Sequence, residues 1–444
     1  RRAAALTAWE EAVRKTETVD RLPPSVAAIL QAPPDQRGEE KDAELSAYFA
    51  AAVYPRIETR FASHQSEITA LKATLSKLDG SIPNTLVMRD EETPRPAFVL
   101  ERGEYDNPTD RVFPGTPAVL PALPEEAPQN RLTLARWLVD PQHPLTARVT
   151  VNRIWQQHFG TGLVRTSEDF GFQGEWPSHP DLLDWLAAEF VESGWDMKAL
   201  HRRIVTSAAF RRSAAIRPEQ LQTDPDNRLL ARGPRYRLDA EAIRDAALAA
   251  SGLLVERLGG PGVKPYQPDG LWNAVAYSGS NTRFYKRDGG TALHRRSMYT
   301  FWKRTSPPAS LATFDAPSRE ACVVRRSRTN TPLQALALMN DEQFVEASRK
   351  LAARMLAEGG ANDEGRLTHG FLLAVGRTPT EVELALLTSV LASHRETFAA
   401  EPDEATKLLG VGETERVDAL DPQEHAAFTL LASLLMNTDA FVTK

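Results

Sequence analysis

Cysteine is nearly absent from this sequence: Cys322 is the only one in 444 residues. A single thiol excludes an internal disulfide, a four-cysteine zinc site, an iron–sulfur cluster and the C-x-x-C-H attachment of c-type haem. Long apolar runs are missing too, and none approaches the roughly 18 residues that a membrane-crossing helix needs. Net positive charge is lacking, since 53 Lys plus Arg face 59 Asp plus Glu for a balance of −6. A mildly acidic chain is not built to neutralise a phosphate backbone, so nucleic acid is not expected as a partner. H-E-x-x-H and G-x-S-x-G are absent, and GGPG at 259–262 has no Lys-Ser/Thr after it and reads as a turn rather than a phosphate loop. The opening RRAAALTAWEEAVRK has charge at its front but no long apolar centre and no cleavage site. It reads as an amphipathic helix, and the start without methionine suggests a product trimmed from a longer chain.

What is present is an ordinary folded composition, 42% hydrophobic and 25% charged, with enough length for two to four cores at about 100–200 residues each. Apolar periodicity predicts a mainly α fold with a few short β strands near 84–100 and 292–304. Residues 1–80 read as a helical hairpin or linker, with Leu45, Tyr48, Phe49, Val53, Ile57, Phe61, Ile68, Leu71, Leu75 and Leu78 at helical spacing. A stripe of this kind is chiefly a packing surface. Residues 81–130 carry the short runs TLVM and AFVL and then six prolines between 108 and 128, which fits strands and an extended linker. Residues 131–330 read as a helical core with a small β insertion, in which Asp196 and Asp239 stand at N-cap positions and Gly194 and Gly252 at helix exits. Residues 331–444 read as a helical end, opened by a long helix that Pro332 starts.

Two polar stretches are candidates for chemistry. The first, residues 152–186, puts Asn152, Arg153 and His158 at the end of a helix and Glu168, Asp169, Glu175 and His179 in a glycine-broken loop before the next. Scaffolded loops of this kind hold sites well. His158 or His179 with Asp169 or Glu175 can serve as acid and base near neutral pH. The structural alternative is that Ser178 caps the helix at Pro180 while the acids pair with Arg153 and Arg165.

The second stretch is basic. Eleven Lys or Arg lie between Arg283 and Arg328 against three acids, a local balance of +8, with Tyr285, Tyr299, Phe301 and Trp302 interleaved. Cations beside aromatic faces suit an anionic carbohydrate, a phosphate or an acidic partner. The candidate binding residues are Arg153, Arg295, Tyr299, Trp302, Lys303, Arg304, Arg319, Arg325, Arg328 and Asn330. The structural alternative has these arginines bonding carbonyls at chain crossings and pairing with Asp315 or Glu320. Cys322 reads as a buried or merely reducible thiol.

The strings LARWLVDPQHPLTARVTVNRIWQQHFGTGLVRTSEDFG, GEWPSHPDLLDWLAAEFVESGWDMKALHRRIVTSAAFR, DPDNRLLARGPRYRLDAEAIRDAALAASG, YTFWKRTSPPASLATFDAPSRE and RRSRTNTPLQALALMND resemble the planctomycete-type PSD family, from about Thr85 to the C-terminus. That resemblance implies an exported protein, periplasmic or secreted, that follows a cytochrome c domain and acts beside a secreted sulfatase-like partner in polysaccharide breakdown. It supplies no catalytic residues. Any haem c would sit on another domain or a partner chain, with no cofactor covalently bound here and no metal site expected.

Three functions follow as expectations. The first is a carbohydrate oxidoreductase that passes electrons to that haem, with His158, Asp169, Glu175 and His179 doing proton transfer. The second is a non-catalytic scaffold that docks the cytochrome or sulfatase-like partner through the basic stretch. The third is glycoside hydrolysis, which needs two carboxylates about 5–10 Å apart, Asp169 and Glu175 being the pair to measure.

Overall fold

Helical periodicity dominates the sequence, and the computed structural model is mainly α, with one two-stranded sheet among the described residues. It describes residues 2–16, 18–91, 93 and 95–444, with side chains at all of these except 35, 58, 60, 61 and 63. Two compact units result, Arg1–Pro96 and Ala97–Lys444.

In the first unit, α1 (Arg2–Lys15), α2 (Pro24–Gln31) and α3 (Glu39–Tyr48) close over Val13, Val26, Ile29, Leu30 and Leu45. Pro24 opens α2 at a position where no intrahelical N–H is required. One π turn, Phe49–Val53, carries α3 into α4 (Tyr54–Ser81). Here the expected stripe divides. Leu45 and Phe49 are buried, whereas Ile68, Leu71, Leu75 and Leu78 are exposed, and the Phe61 side chain lies outside the described residues. Periodicity marks an apolar face but does not supply a surface to cover it.

The second unit begins with β1 (Ala97–Leu100) and β2 (Pro108–Val112), antiparallel, with a bulge between Phe98 and Leu100. TLVM at 85–88 is not a strand. The proline-rich segment that follows is tied to α5 (Arg131–Leu138) where Trp137 Nε1 donates to Pro121 O at 2.7 Å. Next, α6 (Thr146–Phe159), α7 (Pro180–Glu192) and α8 (Met197–Thr206) pack around Val151, Ile154, Trp155, Leu163, Leu186, Phe190 and Ile204. Asp196 caps α8 by accepting from Ala199 N at 2.9 Å, and Gly194 and Gly252 take the left-handed conformation at helix exits.

A larger core forms where α10 (Ala240–Ser251) meets the C-terminal helices, after the short α9 (Pro218–Thr223) and before α11 (Leu271–Val275) and α12 (Ala309–Thr313). Ile243 and Leu311 pack in it with Leu338, Phe344, Leu391 and Phe428, so helices on both sides of residue 330 share one interior. The expected long helix from residue 331 is two, α13 (Pro332–Asn340) and α14 (Glu342–Glu358). Asp341 takes an extended conformation between them and caps α14 by accepting from Gln343 N. A short polar side chain competing for backbone N–H groups breaks the run despite its unbroken apolar pattern. The remaining helices are α15 (Asp363–Val375), α16 (Glu381–Ala400), α17 (Pro402–Leu409), α18 (Pro422–Met436) and α19 (Asp439–Val442).

The strand expected over 292–304 is not formed. That segment has 3₁₀ turns at Gly290–Ala292 and Ser297–Tyr299 and only isolated bridges, Val255 with Arg295, Val263 with Thr300 and Lys303 with Ser306. Its carbonyls are taken up by a side chain from another element rather than aligned on a ladder. Arg244, for example, donates to the Leu293 and Arg295 carbonyls at 2.7 and 2.9 Å.

Candidate anion-binding cleft

The loop between α6 and α7 is set by one buried amide. Asn152, 0% exposed, accepts from Val164 N at 2.8 Å and donates to Val164 O at 3.0 Å, copying a strand partner from a helix. Gly162 lies so close to it that a Cβ would come within 2.5 Å of the Asn152 amide. The loop then closes on itself, because Ser178 N donates to Leu163 O at 2.9 Å. Inside it, Thr166 Oγ1 donates to Asp169 O and accepts from Glu175 N, both at 2.9 Å, and Asp169 Oδ1 accepts from Gly171 N at 2.7 Å. A Cβ on Gly174 would meet Asp169 O at 2.2 Å. The loop is therefore a braced one whose shape does not depend on a ligand.

One face of this loop borders a cavity of about 340 Å³. Aromatic rings form part of its wall: Trp155 and Phe159 stack at 4.2 Å between centroids, and Tyr236 faces them across Gly160. Gly160 ends α6 with φ of +79°, and a Cβ there would strike the Tyr236 ring at 2.7 Å, so both conformation and space require glycine. Burial raises the pKa of Tyr236, with Asp239 adding to the rise and Arg328 opposing it. The phenol stays protonated and donates to Gln157 O.

Four guanidiniums, Arg228, Arg232, Arg235 and Arg328, line the cavity with Ser178 and one acid, Asp226. Arg232 is buried and bonded to the carbonyls of Asp224 and Pro225. Arg328 lies over the Tyr236 ring at 4.4 Å and donates to Gly160 O at 3.2 Å. Arg235 pairs with the exposed Asp439. Arg228 approaches Glu175 only to 3.8 Å, and its Nη1 is buried without a hydrogen-bond partner. Arg328 also approaches Asp239, at 4.0 Å. Four guanidiniums against one acid in the wall make the hollow cationic, and with the aromatic rings beside them they are the groups that hold a sulfate, phosphate or carboxylate.

The other face of the loop borders a groove of about 500 Å³ floored by Leu145, Val164, Phe170 and Leu183. Phe172 and Trp176 line it while exposing 105% and 88% of their reference areas to solvent. Arg148 and Asp184 bond across its rim at 2.6 Å, and that bond holds the Asp184 carboxyl below its usual range.

The catalytic residues expected from sequence are not joined to one another by any hydrogen bond or ion pair. His158 Nε2 is 2.7 Å from His201 Nδ1, and its ring meets Phe210 edge-on. Burial, then Lys444 and His201, lower its pKa. His179 occupies the N-cap position of α7 but bonds only Ser178 Oγ, at 3.0 Å, so Ser178 does not cap the helix through its side chain. Asp169 is engaged with its own loop, and Glu175 turns toward Arg228, so the two do not stand as a pair of free carboxylates.

The basic stretch is largely neutralised internally. Arg295, 1% exposed, donates to the carbonyls of Arg257, Gly259 and Pro261 and stacks on Tyr299, whose hydroxyl accepts from Gly259 N. Lys303 donates to Thr282 O, Trp302 to Ser318 O under Arg319, and Arg304 faces Glu320 at 3.6 Å. Arg326 pairs with Glu241 at 2.6 Å. Arg153, Asn330 and Cys322 are exposed, so of the two readings of the cysteine the buried one does not hold.

The two stretches do meet. Arg325 pairs with Glu168 at 3.1 Å, Gln156 donates to Val324 O at 3.2 Å, and Arg328 reaches the cavity. Sequence reasoning missed Arg228, Arg232, Arg235 and Tyr236. The signal lay in NRLLARGPRYR, four arginines in eleven residues between helices.

Among the described residues no group of three or more His, Cys, Asp or Glu converges as a metal would need, and no helix is long and apolar enough to cross a membrane. A family model described as PSD1, protein of unknown function (DUF1553), matches residues 130–391, which include the whole loop and cavity. No curated protein and no solved structure matches the chain.

Proposed function

This chain belongs to the PSD1 family of proteins of unknown function, and from that premise we propose that its second unit binds an anionic saccharide, sulfated or carboxylated, in the arginine-lined cavity beside loop 163–178. The observation that carries the reading is the convergence of Arg228, Arg235 and Arg328 on a hollow walled by Trp155, Phe159 and Tyr236. Guanidiniums recognise planar or tetrahedral oxyanions by paired N–H donors, and aromatic faces receive the apolar side of a ring.

Binding rather than turnover is the reading favoured here. His158 is engaged with His201, Asp169 with Gly171 N and Glu175 with Arg228, and no hydrogen bond joins the histidine to either acid. The exported setting, the cytochrome c and the sulfatase-like partner belong to the proposal through the family resemblance alone. Of the basic residues that a scaffold reading would use, Arg295 is buried, while Arg304 and Arg325 are exposed and each faces an acid.

The test is calorimetric titration of the full chain with a sulfated oligosaccharide and its desulfated counterpart. Only the sulfated form is expected to bind, with affinity falling as salt rises. Arg328→Ala with Arg235→Ala should weaken it about tenfold or more, as for two charge-assisted contacts. Equal affinity for the two sugars, or none for either, would remove the proposal.

A further inference from the structure

The groove on the far face of the loop has core residues, Val164 and Leu183, in its floor, yet its two most prominent side chains stay out of the core. Phe172 and Trp176 are almost wholly solvated, although the loop that carries them is braced through Thr166, Asp169 and the close approach at Gly174. Large aromatics held in water by a rigid backbone are an informative departure from ordinary burial. The groove also adjoins the cationic cavity through a single wall. Consecutive residues face opposite sides, Leu163 the cavity and Val164 the groove, and Glu175 on the groove approaches Arg228 on the cavity at 3.8 Å.

We propose that Phe172 and Trp176 form a second subsite for neutral sugar rings of the same ligand, so that the protein recognises an acidic oligosaccharide chain running across the loop rather than an isolated anion or monosaccharide. This rests on the anionic reading of the cavity. Flat rings with one apolar face suit the aromatics, and ring hydroxyls suit the polar rim at Arg148, Asp184 and Glu175. A protein occupant is less well matched, because a stable interface removes about 800 Å² from each partner and the solvated aromatics of this groove are Phe172 and Trp176 alone.

The test titrates the full chain with sulfated oligosaccharides of increasing length and with inorganic sulfate. In the wild type, affinity should rise by about tenfold or more as rings are added to a single sulfated ring. Phe172→Ala with Trp176→Ala should abolish that rise while leaving the single sulfated ring unchanged, and Trp176→Tyr should restore most of it. Both sites are solvated, so circular dichroism and thermal unfolding of the variants should match wild type. Length dependence that survives in the double variant overturns the subsite. So does a double variant that changes only self-association in sedimentation, which would make the groove a protein-docking face. If even the single sulfated ring fails to bind wild type while neutral chains bind through the aromatics, the cavity reading has failed and this inference with it. If the sulfated ring binds but lengthening adds nothing, only this inference has failed.

Discussion

The arginine-lined cleft and the interior of the C-terminal helices use the same side chains to opposite ends. Beneath α14 and α18, Glu346 is 0% exposed and fully partnered: His294 and the Tyr266 hydroxyl donate to one oxygen at 2.9 and 3.0 Å, and Thr414 N to the other at 2.7 Å. Arg349 donates to Thr414 and Glu415, and His425 donates to the Arg349 carbonyl at 2.9 Å. In the cleft, by contrast, Arg228, Arg235 and Arg328 line an open cavity, although each region keeps buried nitrogens without a partner, Arg228 Nη1 in the cleft and Arg349 Nε and His425 Nδ1 in the interior. Access to an open cavity, not residue type, separates the two regions. A histidine, an acid and an arginine in contact are here part of the scaffold, and the region open to a ligand has no histidine in its wall.

The strongest way to break this comparison is to remove Glu346. Glu346→Ala leaves His294 and Arg349 buried without their counter-charge and should cost about 3–5 kcal/mol, read by denaturant unfolding, while the folded fraction still binds the sulfated sugar. A loss below about 1 kcal/mol would place the network outside the scaffold. Its pH dependence has a defined sign. Burial would raise the Glu346 pKa, but the bonds from His294 and Thr414 hold it down to about 2. The contribution is complete above the unfolded value of 4.5 and is lost as pH falls from 4.5 toward 2.

Asn152→Ala sits between the two regions. It strips Val164 of both backbone partners and should cost about 1–3 kcal/mol, with faster amide exchange at Val164 and weaker sugar binding together. If binding survived unchanged, the loop would not owe its shape to that amide.

Arg328→Ala sharpens the contrast from the other side. Its stacking on Tyr236 and its bond to Gly160 O are solvent-facing, so stability should change by no more than about 1 kcal/mol, whereas titration should show the loss of affinity. The smallest effect belongs to His158. Its pKa is lowered in the fold, so as pH falls through about 6.5 the unfolded chain takes up the proton more readily and stability declines slightly. The guanidiniums of the cleft keep their charge throughout, and sugar affinity between pH 8 and 6 should stay level.

Much of the fold was legible because helix formation is decided locally. The apolar spacing of α6, α7, α8 and α10, the cap at Asp196 and the left-handed exits at Gly194 and Gly252 appear where the pattern put them. The split at Asp341 was hidden, since an apolar pattern runs straight through it and only the side chain's bond to Gln343 N decides the break. The polar loop was visible as a place for a site, but its working faces were not. Phe172, Trp176 and the arginines at 228–235 have no periodicity or motif in the sequence that sets them apart. Conversely, Arg295 and Tyr299 look like a binding pair and prove to be internal bracing.

The sequence alone determined that this is a mainly helical chain with one thiol and a polar loop between two well-patterned helices, because composition and periodicity act over a few residues. Which cations share one hollow was settled only in three dimensions. Asp239 and Glu241 come to Arg326, Glu168 to Arg325 and Glu320 to Arg304, while Arg228, Arg235 and Arg328, drawn from places a hundred residues apart, are brought to one hollow where Glu175, Asp439 and Asp239 approach them in turn. Charge falls off over ångströms in space and not along the chain, so the local excess of a segment says little until its neighbours are known.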